Sequence, residues 1–135
     1  MIELLKYVPR PIAYVLGGGG AYGSIQVGQL RALAKTDLRP DFVVGTSVGA
    51  LNATIVAETP ELAADRLAAF WSLVTTEEVF GSKRQMMMNM AALRPAIVRP
   101  APLRELLLCS TPSRDFADLQ LPLTAVAADV TTGHH

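Results

Sequence analysis

Ser47 stands at the centre of Gly45-Thr46-Ser47-Val48-Gly49, a Gly-x-Ser-x-Gly pattern wedged between two apolar runs. Asp41-Phe42-Val43-Val44 before it is short and β-branched, as a buried strand requires; residues 50–57 after it read as helix. At so sharp a strand-to-helix turn the serine hydroxyl is pushed outward, and Gly45 and Gly49 let the two backbones pass. The helix N-terminus beneath Ser47 favours negative charge. The chemistry this pattern suits is nucleophilic attack on an acyl carbonyl. Such a reaction also needs donors for the oxyanion, each contributing roughly 3–4 kcal/mol to transition-state stabilisation. Gly17, Gly18, Gly19 and Gly20 offer backbone amides with no side chains in the way, and they too follow an apolar segment, Ile12-Ala13-Tyr14-Val15-Leu16.

The elements that must position these groups follow from the order of the chain. A helix over residues 24–35 places Gly23, Val27, Leu30 and Ala34 on one face. Gly28 within it should cost about 1 kcal/mol against alanine, which predicts close packing on the sheet at that point. Thr59-Pro60-Glu61 has the hydroxyl, proline and early acid of a helix start, followed by the apolar stripe Ala63, Leu67, Phe70, Trp71 and Val74. Thr75 with Glu78 matches a capping box for a short further helix. Met86, Met87, Met88 and Met90 are read as a core-facing helix with Lys83 and Arg84 at its solvated end, in preference to a pliable flap for acyl chains. Short helices are expected over 102–108 and 115–119, and residues 121–129 read as a buried last strand. Strands separated by helices imply right-handed crossovers and a mainly parallel sheet covered on both faces. The glycine run, Ser47 and Asp129 would then share the C-terminal edge of the sheet, where ligands gather.

Composition narrows the field. The chain has 135 residues, half of them hydrophobic and 18% charged, which suits a single folded domain. Twelve basic residues balance twelve acidic ones, so nothing argues for a nucleic-acid partner. Cys109 is alone and reads as a small buried hydrophobe, consistent with a reducing compartment. The first residues lack the pattern of a signal peptide, and no apolar run is long enough to span a bilayer. A cytoplasmic location is expected, and neither a metal nor an organic cofactor.

Gly18-x-Gly20-x-x-Gly23 also fits a dinucleotide-binding turn. That fold wants an acid at the far end of the next strand, whereas Asp41 stands at its beginning, so nucleotide binding is the weaker reading.

Taken together, Gly17-Gly-Gly-Gly-Ala-Tyr-Gly23, the helical Gln29-Leu30-Arg31-Ala32-Leu33, Gly45-Thr-Ser-Val-Gly-Ala50 and Ala125-Val-Ala-Ala-Asp-Val-Thr-Thr-Gly133 resemble the patatin-like phospholipases. The resemblance implies a three-layer α/β/α sandwich with a mainly parallel central sheet. It also implies a lipid or phospholipid acyl hydrolase that uses a Ser–Asp dyad. By position Ser47 would be the nucleophile, Gly18, Gly19 and Gly20 the oxyanion hole, and Gly45 and Gly49 the glycines of the elbow. Two features depart from the family pattern. Tyr22 stands where the family usually has Arg or Lys, and the Asp-Gly-Gly or Asp-Gly-Ala segment that carries the dyad acid has no counterpart in these residues. The chain therefore reads as one partial domain, 1–135, with little turnover as it stands. Asp129 is expected to serve in hydrogen bonding and not as base, and His134 and His135 are not assigned a role. An acyltransferase of related fold and a non-catalytic lipid- or partner-binding domain are the alternatives. A lipid ester substrate, peripheral membrane contact and self-association through an exposed sheet edge are the expected interactions.

Overall fold

A computed structural model of the chain describes residues 8–36, 38–74, 87, 100–129 and 131–132. Three strands form one parallel sheet in the order β1 (Ala13–Leu16), β2 (Phe42–Thr46), β3 (Leu123–Val126). Tyr14 pairs with Val43 and Leu16 with Gly45; Val43 pairs in turn with Leu123 and Gly45 with Ala125. Four α-helices are described: α1 (Ile25–Ala34), α2 (Val48–Glu58), α3 (Ala63–Leu73) and α4 (Pro100–Ser110). Short 3-10 turns at Gly20–Ser24, Pro60–Leu62 and Phe116–Asp118 join them, the last where a helical turn is expected.

The strand order never reverses, so right-handed crossovers deliver the connecting helices to one face of the sheet. On that face lie Leu16 and Val43, and they meet Ile55 and Val56 of α2, Val27 and Leu30 of α1, and Leu67 and Phe70 of α3 in one core. α2 packs directly over the strands with α3 outside it, which explains why its sequence is apolar all round: nine of its residues are buried. The strand residues of the opposite face are less covered, Val15 being 72% exposed and Val126 42%. Covering helices are thus met on one face among the described residues.

Several local expectations are corrected. The last strand is only four residues long and three of them are exposed; among the described strands β3 has a neighbour on one side only. Gly28 is exposed and a methyl group there would meet nothing within 4 Å, since α1 packs through Val27 and Leu30 and turns position 28 outward. Thr59 does not cap α3; its hydroxyl lies against the Ile55 carbonyl at the end of α2. Cys109 is exposed, whereas Leu107 and Leu108 before it in α4 are half-buried. Thr75, Glu78, Lys83, Arg84, Met86, Met88 and Met90 lie outside the described residues; Met87 is helical and exposed.

Candidate functional site

The turn between β2 and α2 sets the geometry of the site. Ser47 adopts φ 53° and ψ −129°, the one non-glycine residue with positive φ among those described. An L side chain in such a region carries about 1–3 kcal/mol of strain and persists only where the surroundings impose it. Here the surroundings are backbone. A methyl group on Gly49 would fall 2.0 Å from the Leu16 carbonyl oxygen and 2.5 Å from that of Gly17. One on Gly45 would fall 2.5 Å from the Gly49 carbonyl oxygen. Strand, turn and helix therefore touch main chain to main chain, and the chain can turn between them only through Ser47. The serine is exposed and its side chain makes no capping bond to α2.

The glycine loop lies directly against it. A methyl group on Gly18 would sit 3.1 Å from Ser47 Cβ and 3.8 Å from Oγ. Gly19 and Gly20 both have positive φ, 151° and 59°, as the loop bends into its 3-10 turn. The amides of Gly18 and Gly19 donate to no backbone carbonyl among the described residues. Free amides beside an exposed hydroxyl at a helix N-terminus make a place where a negative oxygen is stabilised. The structure thus brings Ser47, Gly18, Gly45 and Gly49 together as the spacing predicts, with Gly19 and Gly20 continuing the same loop.

Behind the loop is a polar set that the sequence reading passed over. Asn52, in the middle of the largely apolar α2, is fully buried. Its Nδ2 donates to the Gly23 carbonyl at 2.9 Å and to Gln26 Oε1 at 2.8 Å, and its Oδ1 accepts from the Trp71 indole at 3.1 Å. Gln26 Nε2 donates onward to the Gly17 carbonyl at 2.8 Å. The sequence signal was present: an amide in the middle of an apolar helix must find buried partners.

Asp129 follows β3 toward the same edge. Its Oδ1 accepts from the Thr131 hydroxyl at 2.6 Å and from the Thr131 amide at 2.8 Å. Those bonds, the hydroxyl first, hold its carboxyl below the ordinary aspartate value. It is a satisfied turn acceptor, as expected from its position. Asp41, at the opposite end of β2, is likewise held low by the Ile12 amide and by Arg10, so it braces the start of the sheet and faces no ligand turn.

Two hollows border α2. One of about 330 Å³ runs from Ala50, Leu51 and Thr54 to Leu107 and Leu108 of α4 and to Leu123 and Ala125 of β3. The other, about 160 Å³, lies by Tyr14, Arg39 and Glu61, toward the end of the sheet away from Ser47. Among the described residues no three His, Cys, Asp or Glu side chains gather as a metal site would require.

The family model for patatin-like phospholipase matches residues 14–133, nearly the whole chain and all of the described elements but the first residue of β1. The chain belongs to the patatin-like phospholipase family. Its parallel α/β core is the patatin-like fold. Relatives include a patatin-like phospholipase domain-containing protein of Caenorhabditis elegans, 48% identical over 61 residues, 44% of this chain and 4% of that protein. Patatin-like phospholipase domain-containing protein 7 of Mus musculus is 48% identical over 58 residues, 43% of this chain and 4% of the mouse protein. A lysophospholipase of Aspergillus terreus is 46% identical over 48 residues, 36% of this chain and 3% of its own. The chain thus matches only a small part of the length of these relatives.

Proposed function

We propose that this patatin-like chain carries the nucleophile half of a lipid acyl hydrolase. Ser47 Oγ would attack the ester carbonyl, and amides of Gly18, Gly19 and Gly20 would hold the oxyanion. The alcohol would leave, and water would hydrolyse the acyl-serine. The observation that carries this reading is the backbone of Ser47, forced to φ 53° between Gly45 and Gly49 and pressed against Gly18. The apolar groove beginning at Ala50, three residues after Ser47, has the lining an acyl chain needs. The names of the relatives point to the same substrate class.

A serine hydroxyl is a weak nucleophile without a base. In the family pattern the base is an aspartate in an Asp-Gly pair, and these residues contain none. Asp129 is committed to Thr131 and offers no free base; a non-catalytic lipid- or partner-binding domain is the second reading.

Treatment with a fluorophosphonate probe separates the two. In a chain extended through the family's Asp-Gly segment, covalent labelling that vanishes in Ser47→Ala is the expected outcome. Ester hydrolysis surviving in Ser47→Ala would exclude the assignment. A cytoplasmic location and peripheral membrane contact go with this reading; no described helix is long and apolar enough to cross a membrane. Self-association through the exposed edge at the last strand, β3, is the remaining expectation, and sedimentation against concentration tests it.

A further inference from the structure

The peptide that carries the Gly18 amide, on the loop beside Ser47, is anchored by a side chain of α1. Its carbonyl half belongs to Gly17, and Gln26 Nε2 donates to that oxygen at 2.8 Å. A trans peptide is planar, with its N–H and C=O pointing in opposite directions. Fixing the Gly17 carbonyl on the side of α1 therefore aims the Gly18 N–H the other way. Gln26 is itself fixed. Its Oε1 accepts from Asn52, which leaves Nε2 as the only end available to the loop. Asn52 cannot be reversed either, because its Oδ1 faces the Trp71 N–H and its Nδ2 faces two oxygens. A flipped Asn52 would set donor against donor and acceptor against acceptors at a fully buried position.

We propose that Trp71, Asn52 and Gln26 form a positioning relay that sets the Gly17–Gly18 peptide plane. Each hydrogen bond passes a fixed direction from the buried side of α3 through α2 and α1 to the loop beside Ser47. None of the three touches the reacting atoms; they act through the Gly18 amide. The relay as an orienting device stands on these bonds alone. Its consequence for rate rests on the reading of Ser47 as nucleophile and of Gly18 as an oxyanion donor.

Gln26→Met tests it in the intact chain, since methionine keeps the length of the side chain and loses both bonds at a half-buried site. The Gly18 amide has no backbone acceptor among the described residues, so the readout is the freedom of its peptide plane. Its 15N order parameter should fall from about 0.85 to below about 0.6. The maximal rate of fluorophosphonate labelling at Ser47 should fall roughly 100-fold, as for a donor displaced by about 1 Å, with the half-saturating probe concentration unchanged. Tyr14→Phe removes a bond to the Leu38 carbonyl at the far end of the sheet and should alter neither readout. An unchanged Gly18 order parameter in Gln26→Met overturns the relay. So does an equal loss of labelling rate in Tyr14→Phe, which would make the effect one of general stability. Silence in a chain extended through the family's Asp-Gly segment makes the nucleophile reading fail separately, and the Gly18 order parameter still decides the relay.

Discussion

At its N-terminus α2 begins on Ser47, exposed, strained at φ 53° and capping nothing; at its C-terminus Glu58 is buried with both carboxylate oxygens engaged. Glu58 Oε2 takes a 2.7 Å ion pair from Arg66, and Oε1 accepts the Ser113 amide at 2.8 Å. Arg66 also reaches the Thr59 hydroxyl at 2.7 Å and the Ser110 carbonyl at 2.6 Å. One end of the helix thus ties α3, the end of α4 and the loop after it into a single polar junction. The other end leaves a hydroxyl and loop amides without such partners. The same eleven-residue helix serves stability at one end and reactivity at the other, which is where a protein stores strain when a site requires it.

The largest way to break this contrast is Gly49→Ala. The added methyl group meets main-chain carbonyls at 2.0 and 2.5 Å, and no side chain can swing aside to admit it. A loss of about 4 kcal/mol or more is expected, read as a collapsed urea midpoint or failure to fold. Retention of the parent midpoint would mean that strand and helix are not in backbone contact there.

Next comes the junction. Glu58→Ala leaves Arg66 and the Ser113 amide without their acceptor, and about 3 kcal/mol should be lost, since breaking a buried pair strands its partner. Protonation should act on the same bonds. Burial pushes the Glu58 carboxyl up, but the Ser113 bonds and the Arg66 guanidinium outweigh it and leave it below its ordinary value of 4.5. A depressed carboxylate contributes stability that is complete above its unfolded pKa and lost as pH falls through the folded one. Acid titration of stability should therefore steepen below about pH 4.5 in the parent and flatten there in Glu58→Ala. An unchanged acid limb would place the acid-sensitive group elsewhere.

Ser47→Gly sharpens the comparison from the strained end. Glycine takes φ 53° without penalty, and the relief of about 1–3 kcal/mol is partly offset by its greater freedom when unfolded. A net gain of about 1 kcal/mol should appear as a higher melting temperature together with complete loss of probe labelling. A loss of stability would show that the turn holds no strain.

What the sequence made legible was the part governed by spacing. The strand–glycine–helix alternation follows from apolar runs and turn residues, and Ser47, Gly45, Gly49 and Gly18 meet where the Gly-x-Ser-x-Gly pattern and the glycine run put them. Partnership across the fold was not legible. Asn52, Gln26 and Trp71 come from three different helices, and no local rule brings them together. Glu58 and Arg66 are eight residues apart and meet only because α2 and α3 fold back on each other. Edge position also escaped the reading. Apolar residues 121–129 suggested a buried strand, but burial depends on what lies alongside, and β3 has a neighbour on one side only among the described strands.

Gly28 shows how a correct local rule led to the wrong surroundings, and it supplies the smallest of the expected effects. Glycine within a helix is unfavourable, so close packing seemed its natural explanation. The structure removes that explanation: position 28 faces outward, with nothing within 4 Å of an added methyl group. If no contact requires glycine, Gly28→Ala should stabilise the chain by about 0.5–1 kcal/mol through lower unfolded-state entropy alone. The gain should come with unchanged labelling at Ser47, because α1 holds the loop through Gln26 on another part of its surface. A Gly28→Ala protein that is less stable, or that labels more slowly, would mean that something packs on this face of α1. Measured beside Gly49→Ala, the pair sets one methyl group against backbone and the same methyl group against open space, so the difference between them isolates what close approach at the elbow requires.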